Sequence, residues 1–188
     1  MENEIIAILE ESIKVKKELK EQASLIEEIS KKVIKAYRNQ NKVMLFGNGG
    51  SAADAQHIAA EFVGKFYKNR DSLPALAFHT NTSVVTATAN DFGYETIFER
   101  QVSSFTKKGD IVIGISTSGN SLNVVKGLQK AKEMGAITVG FTGKKENKIE
   151  KIADYCIKVP STDTPRIQEG HITIGHIICY LVEKELFD

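Results

Sequence analysis

Val43-Met44-Leu45-Phe46-Gly47-Asn48-Gly49-Gly50-Ser51 is the stretch that decides the fold. Four consecutive apolar residues suit a strand covered on both faces, and such strands belong to parallel sheets flanked by helices. The glycines at 47, 49 and 50 then turn the chain sharply, and residues 51–64 carry a helical pattern. The same sequence of strand, turn and helix returns at Ile111-Val112-Ile113-Gly114-Ile115, which leads through Ser116–Ser121 into a helix at 121–134. Further short apolar runs stand at Leu76-Ala77-Phe78, Ile137-Thr138-Val139-Gly140-Phe141 and Cys156-Ile157-Lys158-Val159. Helical stretches at 82–89, 95–105, 146–152 and 166–186 lie between and after them. Alternating strands and helices of this kind predict an α/β three-layer sandwich with a doubly wound, mostly parallel five-stranded sheet.

Ahead of this pattern, residues 3–39 read as helix. Ile5, Leu9 and Ile13 recur every four positions, and so do Leu25, Ile29, Val33 and Tyr37. The stretch is longer than most globular helices, so a break is expected near Gln22-Ala23-Ser24, with Ser24 and Glu27 as a capping box for the second half. We read the chain, 1–188, as one domain with residues 1–40 as a helical extension that packs on the domain and on neighbouring subunits.

Composition narrows the function. The chain has 25 basic and 24 acidic residues, a net charge of +1, so nothing predicts the broad basic footprint of a nucleic-acid binder. No apolar run approaches the roughly 18 residues of a membrane span, and the start Met1-Glu2-Asn3-Glu4 lacks the features of a signal peptide. Cys156 and Cys179 form no disulfide framework and sit among apolar residues as packing groups, which suits a cytoplasmic setting.

Two loops follow strands and open helices, where backbone N–H groups and the helix dipole favour an anion. The Gly47–Gly50 turn is not a dinucleotide fingerprint, because Ala52 stands where the third glycine belongs, and no Gly-Lys-Ser/Thr makes it a P-loop. A plain tight turn would explain it as well as ligand contact. In the second loop, Ser116, Thr117, Ser118 and Ser121 place four hydroxyls in six residues beside Gly119. One serine would serve as a helix cap. Four hydroxyls at a helix start suit a phosphate monoester, since they donate hydrogen bonds without adding charge.

A third constellation suits a metal. His57 and Glu61 lie four apart on one helical face, with Asp54 one turn earlier as a group that would orient the imidazole. The last helix adds Gln168, Glu169, His171 and His176. Gln168 and His176 are eight residues apart, about 12 Å along a helix axis, whereas Gln168 and His171 form an easier local pair; spacing leaves the choice open. Asp91, after the helix at 82–89, is a group for gripping sugar hydroxyls or an ordinary Asn-Asp turn. His79 reads as loop structure.

Gly47–His57, Thr88–Asp91, Ser116–Ser121 and Arg166–His171 resemble, in order, the signature segments of the phosphoheptose isomerases, a family of the sugar-isomerase (SIS) domain superfamily. The likeness covers essentially the whole chain. It implies sedoheptulose 7-phosphate as substrate and D-glycero-D-manno-heptose 7-phosphate as product, the first step toward the activated heptoses of lipopolysaccharide or capsule. It implies a cytoplasmic homotetramer with active sites at subunit interfaces and one zinc per subunit. The zinc ligands would be His57, Glu61, Gln168 and His176, which favours His176 over His171. The substrate contacts would be Asn48, Gly49, Gly50, Glu61, Asn90, Asp91, Ser116, Thr117, Ser118, Ser121 and Gln168. Glu61 and His176 have the chemistry of an acid/base pair for proton transfer between C1 and C2. One departure is Pro165, where some members carry Asp; Asp163 is near enough to substitute, and Pro165 itself suits the first turn of a helix. Two other readings share the phosphate loop: a non-catalytic SIS protein that binds a replication initiator, and an isomerase of another phosphosugar such as arabinose 5-phosphate, which usually carries regulatory domains.

Overall fold

The computed structural model describes residues 1–188. Helices α1 (Glu2–Glu18) and α2 (Ala23–Arg38) precede strand β1 (Val43–Gly47), helix α3 (Gly50–Val63) and strand β2 (Ala75–Ala77). Helices α4 (Thr82–Phe92) and α5 (Ile97–Phe105) lead to β3 (Ile111–Ile115), α6 (Leu122–Glu133), β4 (Ile137–Gly143), α7 (Lys148–Ile152), β5 (Tyr155–Val159) and α8 (Thr164–Phe187). The five strands are all parallel, in the order β2-β1-β3-β4-β5.

Alternation along the strands divides the core between two faces. Val43, Leu45, Ile111, Ile113, Val139 and Phe141 point to the side covered by α2, α3 and α8. Met44, Phe46 and Val112 point to the side covered by α5, α6 and α7. Both layers are buried, which is why the strands read as unbroken apolar runs.

The break in the N-terminal helix is where the sequence places it, as a 3₁₀ turn at Leu19–Gln22, but the capping box is absent. Gln22 holds the N-cap position without a side-chain bond, Ser24 lies inside α2, and Glu27 pairs with Lys31 instead. The backbone is right-handed at Glu18 and Ala23 and departs from helical values at Gln22 (φ −89°, ψ 2°), so α2 begins ahead of Ser24. Helix α1 docks on α8 through Ser12, whose Oγ donates to Glu169 Oε2 at 2.7 Å, and through Arg166, which donates to the Ile8 carbonyl at 2.9 Å. Its other side leaves Ile5, Ile6, Ile8, Leu9 and Ile13 exposed. No helix is long and apolar enough to cross a membrane.

The strand order reverses between β1 and β3: the chain runs outward to β2, then returns to the other side of β1. In open α/β sheets the crevice beyond the carboxyl ends at such a point holds the ligand. Gly47 pairs with Ile115, so both loops singled out in the sequence open at this one place.

Candidate active site

The crevice is built first by the β1 and β3 loops. Gly49 has φ +56°, a conformation that a residue with a Cβ rarely adopts, and it lets α3 start immediately after the turn. Asn48 is fixed by a reciprocal amide pair with Asn123: each Nδ2 donates to the other's Oδ1 at 2.9 Å. Tyr94 adds an O–H donation to Asn48 Oδ1 at 3.0 Å. Neither Asn123 nor Tyr94 was marked by any sequence signal.

At the start of α6, Ser121 occupies the N-cap position yet makes no capping bond. Its hydroxyl lies 2.9 Å from that of Ser116, which in turn lies 3.4 Å from that of Ser118. The three hydroxyls thus lie close together, and Ser118 Oγ also accepts from Asn120 N at 3.2 Å. Gly119 bends the loop, with Asn147 packed against it, and Asn147 caps α7 by accepting from Glu150 N at 2.9 Å. Thr117 lies half-buried in the same loop.

Asn90 and Asp91 fall within the last turn of α4, not in a turn after it, and Gly93 with φ +89° ends the helix. Asn90 Nδ2 donates to Asp91 Oδ1 at 2.8 Å, and both residues are exposed.

The second half of the site lies between α3 and α8, which run side by side. His57 Nε2 is 3.1 Å from Glu61 Oε1 and 3.4 Å from His176 Nε2. The three groups each offer a ligand atom, all within 4.8 Å of one another. Two nitrogens bound to one tetrahedral zinc at about 2.0–2.1 Å stand about 3.3 Å apart. The imidazole pair therefore fits such an ion, and a carboxylate completes a donor set of the catalytic zinc type. The rings of His57 and His176 meet edge to face with centroids 4.9 Å apart, and the Phe66 ring centroid lies 5.6 Å from that of His176.

Close approach of the two helices depends on Gly175. A Cβ there would stand 2.6 Å from Ile58 Cγ1 and nearer still to Cδ1. Gln168, two turns before His176, has its amide against Gly50 at the opening of α3. It thus sits at the loop side of the crevice, where α3 begins.

His171 is not a rival ligand. It is fully buried, its Nε2 lies 3.2 Å from the Thr142 carbonyl, and its ring packs on Phe141. Burial pushes its pKa down to about 4, so it stays neutral. Asp54 does not orient His57, since no hydrogen bond joins them. One Asp54 oxygen is buried without a partner, and burial pushes its pKa up to about 6 although His57 opposes the shift. Asp163 precedes α8 and lies 3.9 Å from Arg166, with Pro165 in the first helical turn as its φ dictates. His79 has both ring nitrogens buried without partners, and burial lowers its pKa. Cys156 is half-buried and Cys179 buried, and burial raises both thiol pKa values.

The family model of the SIS domain matches residues 9–143. Curated relatives are similar along the full length. Phosphoheptose isomerase of Aneurinibacillus thermoaerophilus is 54% identical, covering 100% of this chain and 96% of its own. That of Clostridium acetobutylicum is 53% identical, covering 100% and 97%. Among solved structures, phosphoheptose isomerase of Neisseria gonorrhoeae superposes with TM-score 0.92 at 36% identity, covering 97% of this chain and 98% of that one. A phosphoheptose isomerase from Francisella tularensis gives 0.93 at 29% identity, covering 97% of each. The chain belongs to the phosphoheptose isomerase family.

Proposed function

We propose that the chain converts sedoheptulose 7-phosphate into D-glycero-D-manno-heptose 7-phosphate, the step that opens the supply of activated heptose for lipopolysaccharide or capsule. The observation that carries this reading is the convergence of His57, Glu61 and His176 within 4.8 Å of one another, in a chain whose full-length relatives are named phosphoheptose isomerase.

The Ser116, Thr117, Ser118 and Ser121 hydroxyls would hold the phosphate at the amino end of α6. Asn48, Gly49 and Gly50 would line the crevice, with Asn90 and Asp91 on sugar hydroxyls. Binding the distal phosphate positions the reacting carbons. Glu61 and His176 act as the acid/base pair. One takes a proton from C1 while the carbonyl oxygen at C2 gains one, giving an enediol. Return of a proton to C2 and loss of the C1 hydroxyl proton complete the aldose.

His57, Glu61 and His176 would hold one zinc ion per subunit, which when bound supplies Lewis-acid polarisation of the carbonyl. Gln168 lies at Gly50 within its own chain, so we assign it first to the substrate. The family resemblance also makes it a fourth zinc ligand, a role that Gln168 of the same chain or of a neighbouring copy would fill. The exposed apolar side of α1 supports a homotetramer with sites at subunit interfaces. A cytoplasmic location accords with this substrate.

The intact His/Glu/His set favours an enzyme over a non-catalytic protein that binds a replication initiator. Incubating metal-stripped protein with sedoheptulose 7-phosphate, with and without zinc, tests the reading. Formation of the aldose supports it, and no turnover under either condition overturns it.

A further inference from the structure

The most buried ion pair near the cluster is Arg70–Glu183, with side chains 2% and 3% exposed and Nε 3.0 Å from Oε2. Glu183 lies on α8, two turns beyond His176. Its carboxylate accepts from Phe66 N and Arg70 Nε through Oε2, and from Tyr67 N and Lys68 N through Oε1, all between 2.7 and 3.0 Å. Burial alone would raise its pKa, yet these donors outweigh burial and hold it below the usual carboxylate value.

Arg70 faces the other way as well. It donates through Nη2 to the Glu61 carbonyl and through Nη1 to the Phe62 and Asp71 carbonyls, each at 2.9 Å. The carbonyls of Glu61 and Phe62 are among those that the end of α3 leaves without helical partners. One guanidinium therefore closes α3 at the residue that carries the cluster's carboxylate. One carboxylate on α8 gathers the three N–H groups of the loop whose Phe66 ring lies against His176.

A buried ion pair contributes little net stability, because desolvation offsets most of the attraction. Its directed bonds do fix geometry, and here one ends on the carbonyl of Glu61 and another on the N–H of Phe66, whose ring lies against His176. We infer that Arg70 and Glu183 are positioning residues: they lock the end of α3 to α8 and thereby set the placement of Glu61 and, through Phe66, of His176. This rests on the reading of the cluster as the metal and proton-transfer site.

The test compares Arg70→Lys and Glu183→Gln with a control of similar kind far from the cluster. Asp110→Asn weakens the Lys42–Asp110 pair at the amino ends of β1 and β3, the end of the sheet away from the crevice, with 2.6 Å between charges. Metal-stripped full chains are titrated with Co²⁺ alone, and kcat and KM are measured with sedoheptulose 7-phosphate below the lowest melting temperature. Groups that orient ligands typically change metal affinity or activity by about 10–100-fold. Both site variants are expected to lose about ten-fold or more in Co²⁺ affinity and in kcat, with KM within about two-fold, while Asp110→Asn loses only thermal stability. Site variants that melt lower but keep wild-type Co²⁺ affinity and kcat overturn the inference. Phe66→Leu keeps both charges paired and serves if those variants do not fold; unchanged kcat and cobalt spectrum in it also overturn the inference. Co²⁺ binding that is absent from the wild type, or that survives His57→Ala, removes the cluster reading itself.

Discussion

Replacing Gly175 by Ala should impair catalysis far more than stability. The new Cβ would stand 2.6 Å from Ile58 Cγ1, where carbon atoms prefer about 3.5–4.0 Å. Ile58 is 1% exposed, so it cannot swing aside, and α3 and α8 must separate by roughly 1 Å. Overpacking of this kind costs about 1–3 kcal/mol. Alanine returns about 1 kcal/mol of helix propensity, leaving a net loss of about 0–2 kcal/mol. For a chain of this size that lowers Tm by no more than about 8 °C. The same displacement parts His57 from its neighbour His176, and a misplacement of about 1 Å can cost 10²-fold in rate. The diagnostic partner is Ile58→Ala, which removes both crowding carbons and leaves Cβ at an ordinary 3.9 Å. That change alone costs about 2–5 kcal/mol through the cavity it opens. The double variant should therefore be less stable than Gly175→Ala yet recover kcat to within several-fold of wild type. Steady-state kinetics and thermal melts on the four proteins decide it. A Gly175→Ala enzyme with full kcat, or a double variant as slow as the single, would refute the steric coupling of these helices to the site.

Other outcomes follow from the same geometry. Ser118→Ala should raise KM for sedoheptulose 7-phosphate by about ten-fold, one charge-assisted hydrogen bond's worth, with little change in kcat; an unchanged KM sinks the phosphate role. His171, neutral in the fold with its pKa near 4 against 6.5 when unfolded, takes up a proton more readily in the unfolded chain. Stability is thus intact above pH 6.5 and is lost as pH falls toward 4, by up to about 3 kcal/mol. In urea melts His171→Met should lack that part of the acid slope, and an identical slope in both proteins would contradict the assignment. Leu9→Glu with Ile13→Glu, on the open side of α1, should shift the assembly to smaller species in analytical ultracentrifugation; an unaltered sedimentation coefficient would exclude that face from the interface.

What was legible in the sequence follows from local rules. The strands showed because both faces are buried, and the loops showed because glycine turns and clustered hydroxyls stand out directly after apolar runs. The pairing of His57 with Glu61 is a matter of helical phase. Helical phase separates His171 from His176, since five residues turn a helix by about 140°, but does not say which of them faces α3. His171 turns inward to the Thr142 carbonyl and His176 toward α3. The Arg70–Glu183 clamp gave no signal, because its partners are 113 residues apart and its acceptors are main-chain carbonyls. Ser24 misled because the backbone leaves helical values two residues earlier, at Gln22, and Ser24 already lies inside α2. Asn90 and Asp91 were placed beyond α4 because the Asn-Asp pair outweighed Gly93, the residue that ends the helix.

The central claim is that Glu61 and His176 move the proton. It is tested most directly by following sedoheptulose 7-phosphate in D₂O by NMR with wild type, Glu61→Gln and His176→Gln. Wild type should form the aldose with deuterium incorporated at the reacting carbons. Both variants, shown folded by circular dichroism, should do neither. Isomerisation or deuterium incorporation at the wild-type rate in either variant would contradict the account.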